Sequence, residues 1–524
     1  MNRAAHEARI RERTKPWDIV VIGGGATGAA IAMDAATRNL DILLLEQADF
    51  GNGTSSRSTK LVHGGVRYLR QGNLTLVRDA LRERTTLRNN APHLVHDIPF
   101  LIPCENLWQR IFYGLGLKLY DFLAVRDCFG KSKGVNSEKA LELVSSLRPD
   151  RTASGVVYHD GQFDDARLLI NMLQTAAEHH ASLMNYISVE GFLYDNQSKV
   201  SGVIAVDQES LETLHIEASC VINAAGPFCD QVRQLDQPKC QPMIAPSQGV
   251  HLVLPRTFLP GQTAVIVPKT SDGRVVFMIP WHDRAIVGTT DTPISTTTLE
   301  PTPTASEISF LLDTTADYLS PAAKLDDVLS VFTGIRPLVK GDKSSKTAAL
   351  SRDHVIRDSA TGLITIAGGK WTTVRKMAED CVDHAIRTSN LRTTELCYTR
   401  SLPLHGASEP EKPDERNYYG SDLALIRQLE ASHPDMAQRL TPSLSIRESD
   451  IIWAIRHEMA RTVDDVLSRR TRSLLLDSRA ALAIAPRVAA IMAAELNRDT
   501  AWREKQIEHF NAVAQHHLPP TQLH

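Results

Sequence analysis

No run of about 18 apolar residues occurs anywhere in the chain, so no membrane-spanning helix is expected. Cysteine is scarce and scattered. The seven residues, Cys104, Cys128, Cys220, Cys229, Cys240, Cys381 and Cys397, are odd in number and never fall in C-x-x-C spacing. That argues against a disulfide framework and a cysteine metal site, and for a reducing compartment. Charge of one sign is also lacking: a net charge of −3 gives no reason to expect nucleic acid as a partner. The first fifteen residues have no apolar stretch and so do not read as a signal peptide, and Glu7 and Glu12 make them a poor transit peptide. No internal repeat or long low-complexity region is visible. A cytoplasmic protein with ordinary globular composition is expected, too long at 524 residues for one simple core.

What is there is concentrated first in Trp17 to Asp49. The β-branched run Ile19 to Ile22 predicts a buried strand. It ends in Gly23-Gly24-Gly25-Ala26-Thr27-Gly28, which fits G-x-G-x-x-G. An Ala-rich helix follows, then the strand Ile42 to Leu45 ending in Glu46. Strand, turn, helix, strand and acid agree with a dinucleotide-binding βαβ unit. Gly23 permits the tight turn, Gly25 lets the backbone approach a pyrophosphate, and Gly28 lets the helix pack on the strand. The helix N-terminus, at Ala26 and Thr27, offers N–H groups and a positive dipole end to phosphates. Glu46 can accept from ribose hydroxyls and would repel a 2′-phosphate, which argues against NADP. The place of the motif at the start of the chain favours FAD over NAD.

Between Phe50 and Arg78 the chain carries Arg57, Lys60, Arg67, Arg70 and Arg78, plus His63, and no acid at all. The basic residues alternate with glycine and apolar positions, which reads as an anion-binding wall or a solvated face. It points to a phosphorylated or carboxylated substrate. Leu107 to Val125 reads as a helix packed in a substrate-side domain, the alternative being an interfacial helix on a bilayer with Arg110 and Lys118 toward headgroups. Val156 to Asp160 reads as a strand, with Asp164 and Asp165 capping the helix that follows. Ala218 to Pro227 reads as a buried strand running into small residues, Ala225 and Gly226 among them. Short strands from about Gln241 to Pro293 predict a mostly antiparallel layer. Gly368-Gly369-Lys370-Trp371-Thr372 sits between a strand and a helix and repeats the anion-friendly geometry. Past a proline-rich linker, residues 423–517 are helical in pattern and read as a separate small domain. Its dense charges, Arg461, Asp464, Asp465, Arg469, Arg470 and Arg472, mark an interface or a surface.

Six motifs carry a closer resemblance: TSSRSTKLVHGGVRYL at 54–69, DDARL at 164–168, INAAGP at 222–227, IPWHDRAIVGTTD at 279–291, GIRPL at 334–338 and GGKWTTVRKMAE at 368–379. With them the chain resembles the FAD-dependent glycerol-3-phosphate dehydrogenases of the D-amino-acid-oxidase-like flavoprotein superfamily. Ala225 and Phe228 stand where that family usually has Thr and Trp. The resemblance implies an α/β fold: a Rossmann-like FAD-binding domain with an inserted antiparallel β substrate domain and a C-terminal helical domain. The oxidoreductase region would be about 15–400, with FAD-binding parts at about 15–90, 152–240 and 325–400, substrate-side parts at about 91–151 and 241–324, and the helical domain at 401–524.

The resemblance further implies oxidation of sn-glycerol 3-phosphate to dihydroxyacetone phosphate, hydride transfer to flavin N5, and a membrane quinone as acceptor. A dianionic phosphate needs several cations, and arginine binds it bidentately. Arg67, Arg336, Arg352 and Lys370 are the candidates, with Tyr68 either hydrogen-bonding the substrate or packing. Arg336 is assigned by resemblance to the C2 oxygen. His63, in the glycine-bracketed loop, is the expected base and His251 the alternative. Thr54, Ser55, Ser56, Thr59 and Lys60 are expected to line the flavin and its pyrophosphate, with Ala225, Gly226, Gly369 and Thr372. No metal is expected. A homodimer attached peripherally to the inner face of the cell membrane is implied. The alternatives are an oxygen-using oxidase of the same fold, an amine or amino-acid oxidase, against which the basic stretch counts, and a non-catalytic flavin-binding regulator.

Overall fold

The computed structural model describes residues 1–65, 74–124, 129–268, 270, 273–340, 354–409 and 414–522. In chain order its strands begin with β1 (Trp17–Ile22), β2 (Ile42–Glu46), β3 (Leu61–Val62), β4 (Val95–Cys104), β5 (Lys133–Asn136) and β6 (Ser154–Phe163). Next come β7 (Ser182–Asn185), β8 (Ile187–Tyr194), β9 (Val200–Asp207), β10 (Thr213–Asn223), β11 (Ile244–Pro255) and β12 (Ala264–Val267). The last are β13 (Val276–Trp281), β14 (Arg284–Gly288), β15 (Thr292–Pro293), β16 (Ser330–Val339), β17 (His354–Asp358) and β18 (Ile364–Gly368).

They form two sheets. The first runs β17-β18-β10-β1-β2-β7, with β9 on β10 and β8 on β9. β1 lies parallel between β10 and β2, with Val21 opposite Ile222 and Leu44. This central parallel pairing buries both faces of β1, which is why its sequence is an unbroken apolar run. The helix Ala26–Thr37 packs between the helices Asp165–Glu178 and Val374–Thr388. Its alanines carry almost no side-chain volume, so three helices approach closely over one sheet face. The chain leaves the parallel strands β1 and β10 at the same end of the sheet, and their adjacent carboxyl ends open the crevice where such sheets bind ligands.

The second sheet runs β15-β11-β14-β13-β12-β4-β6-β3, with β16 on β11 and β5 on β6. It is antiparallel except where β12 lies parallel to β4. Three strands that the expected division counts with the nucleotide-binding parts, β3, β6 and β16, hydrogen-bond into the second sheet. β16 pairs with β11 over ten residues, Ile244 opposite Val339 through Val253 opposite Ser330. Arg336 is thereby set opposite Ser247.

The C-terminal helices include Glu448–His457, Ser478–Glu495 and Thr500–Gln515. They do not form a core of their own. Val253, Trp281, Ile286 and Phe332 of the second sheet belong to the same buried cluster as Ile451, Val466, Val488 and Phe510. The dense charges at 461–472 are mostly buried against the rest of the protein, so they form an interface and not a surface. The helix Leu107–Ala124 also differs from the packed helix expected. Leu117, Tyr120 and Ala124 are buried, but Trp108 is 80% exposed, Phe122 71% and Leu115 69%. Among the described residues no helix is long and apolar enough to cross a membrane.

Candidate active site

The glycine turn is built as its spacing requires. Gly23 has φ +109°, and a Cβ there would lie 2.8 Å from the Ala224 carbonyl oxygen. A Cβ on Gly28 would lie 1.9 Å from the Gly23 oxygen, so only glycine lets the helix start over the strand end. Gly25 is the N-cap of that helix and gives it no side chain. The Ala26 N–H donates to Ser55 Oγ at 2.8 Å. Glu46 accepts from the Gly24 N–H at 2.6 Å and the Ala48 N–H at 2.9 Å. Burial pushes its pKa up, against those two amides. A helix start whose N-cap residue brings no side chain, a cradle that a Cβ would fill, and a carboxylate with further acceptor capacity are what a dinucleotide needs.

Around this cradle the motifs converge. Thr54 Oγ1 donates to the Ile335 carbonyl at 2.5 Å, and Trp371 Nε1 to the Ser55 carbonyl at 2.9 Å. The turn Thr54–Ser56 therefore touches both the GIRPL strand and the GGKWTT turn. The His63 N–H donates to Thr372 Oγ1 at 3.1 Å, joining the histidine loop to the same turn. Gly368 and Gly369 have φ +79° and +77°, and bring Lys370 to this junction. Ala225 and Gly226 follow β10 in a short turn, and a Cβ on Gly226 would meet nothing within 4 Å. Thr54, Arg57, Pro227, Phe228, Gly334 and Ile335 line a shallow cleft. Arg67, Tyr68 and Arg352 lie outside the described residues.

The Arg336 guanidinium is held on several sides. It donates to Thr289 Oγ1 at 3.1 Å, the Thr290 carbonyl at 3.0 Å and the Gln248 carbonyl at 3.3 Å, and lies 3.4 Å from Asp291. A Cβ on Gly249 would fall 2.4 Å from its Nη2, so that glycine makes room for it. The residues that fix Arg336 were not singled out from sequence individually, although Thr289-Thr290-Asp291 end a motif that was.

His251 is buried, with Nε2 2.9 Å from Thr59 Oγ1. Burial, then the nearby charges of Arg336 and Lys60, pulls its pKa well below 6.5. A Cβ on Gly288 would lie 2.1 Å from its Cδ2. Lys60, expected to line the flavin and its pyrophosphate, is bonded within the protein. Its ammonium is fully buried and donates to the Ser56 carbonyl at 2.7 Å and to both Asp165 oxygens at 2.8 and 2.7 Å. Burial and the Arg472 charge pull it down to about 7, against Asp165. Asp165 also accepts from the Ser58 N–H and hydroxyl at 3.0 and 2.7 Å. This acid, read from sequence only as a helix cap, is a hub of the loop 56–60.

Comparison with known proteins agrees with this geometry. Residues 18–375 match the family model described as FAD dependent oxidoreductase, and residues 359–503 the C-terminal domain of alpha-glycerophosphate oxidase. A mitochondrial glycerol-3-phosphate dehydrogenase of Arabidopsis thaliana is 39% identical, the match covering 97% of this chain and 87% of that protein. The mitochondrial glycerol-3-phosphate dehydrogenase of Homo sapiens is 39% identical over 95% of this chain and 73% of its own length. The crystal structure of glycerol-3-phosphate dehydrogenase from Bacillus halodurans complexed with FAD has a TM-score of 0.81 at 29% identity, covering 100% of this chain and 99% of that one.

Proposed function

Because the chain belongs to the family of FAD-dependent glycerol-3-phosphate dehydrogenases, we propose that it oxidises sn-glycerol 3-phosphate to dihydroxyacetone phosphate and delivers the electrons to a membrane quinone. The observation that carries this reading is the Arg336 guanidinium, fixed by Thr289, Thr290 and Gln248 on a strand whose preceding residue, Ile335, accepts from Thr54 of the turn that borders the glycine cradle.

Bound FAD supplies the two-electron acceptor for the hydride that leaves C2. Gly23, Gly25, Ala26, Thr27 and Gly28 hold its pyrophosphate, and Glu46 its ribose. The turn Thr54–Ser56, Thr59, Ala225, Gly226, Gly369 and Thr372 border it. Arg67, Arg352 and Lys370 bind the substrate phosphate, and Tyr68 contacts the substrate. As the hydroxyl proton leaves, negative charge grows on the C2 oxygen, and Arg336 stabilises it there without reorganising. His63 takes the proton. His251 is less suited to that step, because burial makes it a weak base and Thr59 already lies on its Nε2. It serves to hold Thr59 in the loop.

The quinone lives in lipid, and the helix Leu107–Ala124 is the attachment surface in this reading. Leu107, Trp108, Ile111, Phe112, Leu115, Leu119 and Phe122 are exposed on it. Such a face is costly in water and suited to the boundary between headgroups and acyl chains. Peripheral attachment to the inner face of the cell membrane, and a homodimer, complete the proposal.

The test is an anaerobic visible spectrum before and after glycerol 3-phosphate. A flavin band that bleaches establishes substrate and reductive half-reaction together. A band that does not bleach removes this substrate. Rapid re-oxidation by air with peroxide release, and none by quinone, would assign an oxidase instead.

A further inference from the structure

The flavin cradle is braced by the C-terminal helices. The segment Asp49–Lys60 touches the glycine turn twice, the Gly51 N–H donating to the Gly24 carbonyl at 3.0 Å and Ser55 Oγ accepting from Ala26 at 2.8 Å. From the other side it is gripped by three arginines. Arg470 forks onto both Asp49 oxygens at 2.7 and 2.8 Å. Arg469 donates to Asp49 at 2.5 Å and to Asn52 Oδ1 at 3.0 Å. Arg472 donates to the Ser56 carbonyl at 2.8 Å and to Asp165 at 3.0 Å.

Arg469 and Arg470 lie in a π-helical turn, Asp465–Arg470, and Arg472 follows it in the left-handed region at φ +61°. The wider turn lets two adjacent arginines meet the same carboxylate, and π-turns are found at functional sites for such reasons. All three are buried and so are Asp49 and Asp165. A buried ion network of this size is poor evidence for stability, since well-packed apolar residues could replace it. It fixes position, because an arginine fork holds a carboxylate or carbonyl in one orientation.

We propose that Arg469, Arg470 and Arg472 are positioning residues for the flavin site, through which the C-terminal helices hold the Asp49–Lys60 segment against the glycine cradle. The inference rests on FAD binding at that cradle and not on the choice of substrate.

Arg472 is the residue to vary, because Asp165 keeps Lys60 as a partner when it is lost. Full-length apoprotein is titrated with FAD, following quenching of flavin fluorescence and the flavin circular dichroism band. Arg472→Met should weaken FAD binding about tenfold or more and alter the band, and Arg472→Lys should recover part of the loss. The control is Arg416→Met. Arg416 pairs with Glu430 and Asp450 among the C-terminal helices and is equally buried. It should lower the melting temperature yet leave FAD affinity within about twofold. If Arg472→Met fails to fold, Asn52→Ala removes the Arg469 contact alone and should weaken FAD binding about threefold. Unchanged affinity in the folded variant, or an equal loss in Arg416→Met, overturns the proposal. A wild-type protein that binds FAD but is not bleached by glycerol 3-phosphate overturns the substrate reading and leaves this one standing.

Discussion

His251 and Phe332 lie ring on ring, their centroids 4.5 Å apart and their planes 6° from parallel. The stack belongs to neighbouring strands: His251 on β11 is directly opposite Phe332 on β16. An imidazole in this position loses water on both faces, and its pKa falls well below 6.5. It is therefore neutral at neutral and alkaline pH, and titrating it does not govern turnover there. The expected outcome concerns the acid limb of kcat/KM. His63→Gln should remove a histidine-governed limb, whereas His251→Gln should lower the rate and keep the limb. The reverse pattern would make His251 the base.

Gly249 and Arg336 give a second expectation. A Cβ at position 249 would sit 2.4 Å from Nη2 and 2.7 Å from Thr289 Oγ1. The guanidinium is the far end of a flexible side chain and can swing aside only by giving up bonds to Thr289, Thr290 and Gln248. Gly249→Ala should therefore lower the melting temperature by a few degrees without unfolding the protein, while a misplacement of about 1 Å costs about 100-fold in kcat. Arg336→Ala should keep FAD and lose turnover more severely. Near-normal turnover in Arg336→Ala would remove this arginine from the mechanism.

Local sequence carried the nucleotide unit well, because strand, turn and helix there are set by neighbours in the chain. Gly23 and Gly28 are glycines for contacts within a few residues, and Asp164 caps its helix through the Arg167 N–H as its position suggested. Contacts between distant segments were not legible. Lys60 looks like an anion ligand until the fold places Asp165 against it, 105 residues away. The same holds for Arg469 and Arg470, whose partner Asp49 is 420 and 421 residues distant. The helix at Leu107 was ambiguous for another reason. It is apolar nearly all round, so its pattern could not say which face the sheet would cover.

That helix supplies a third expectation. Replacing Trp108, Phe112, Leu115 and Phe122 together by serine removes mainly exposed apolar surface. The folded state should be barely affected, since helix propensity changes by only a few tenths of a kcal/mol per site. Co-sedimentation with anionic lipid vesicles should fall sharply, and turnover with a water-soluble electron acceptor should persist. Undiminished vesicle binding would move the attachment surface elsewhere.

The last expectation concerns pH and the joint between the two halves. His405 bridges Glu178, at the end of one nucleotide-domain helix, and Asp422, at the start of the C-terminal helix Asp422–Ser432, with Nε2 2.9 Å from Asp422. Burial opposes its charge, but the hydrogen bonds to Asp422 and Glu178 outweigh that and raise its pKa to about 9. A histidine whose folded pKa is raised binds its proton more tightly in the native state. Its contribution is complete below the unfolded value of 6.5 and is lost as pH rises through about 9. Glu178 is half exposed, so solvent screening reduces the effect to about 1–2 kcal/mol. Urea unfolding at about pH 6 and pH 9.5 should show wild type losing that much more stability than His405→Gln, whose profile lacks this term. Equal losses in the two proteins would mean that the bridge contributes nothing to holding the halves together.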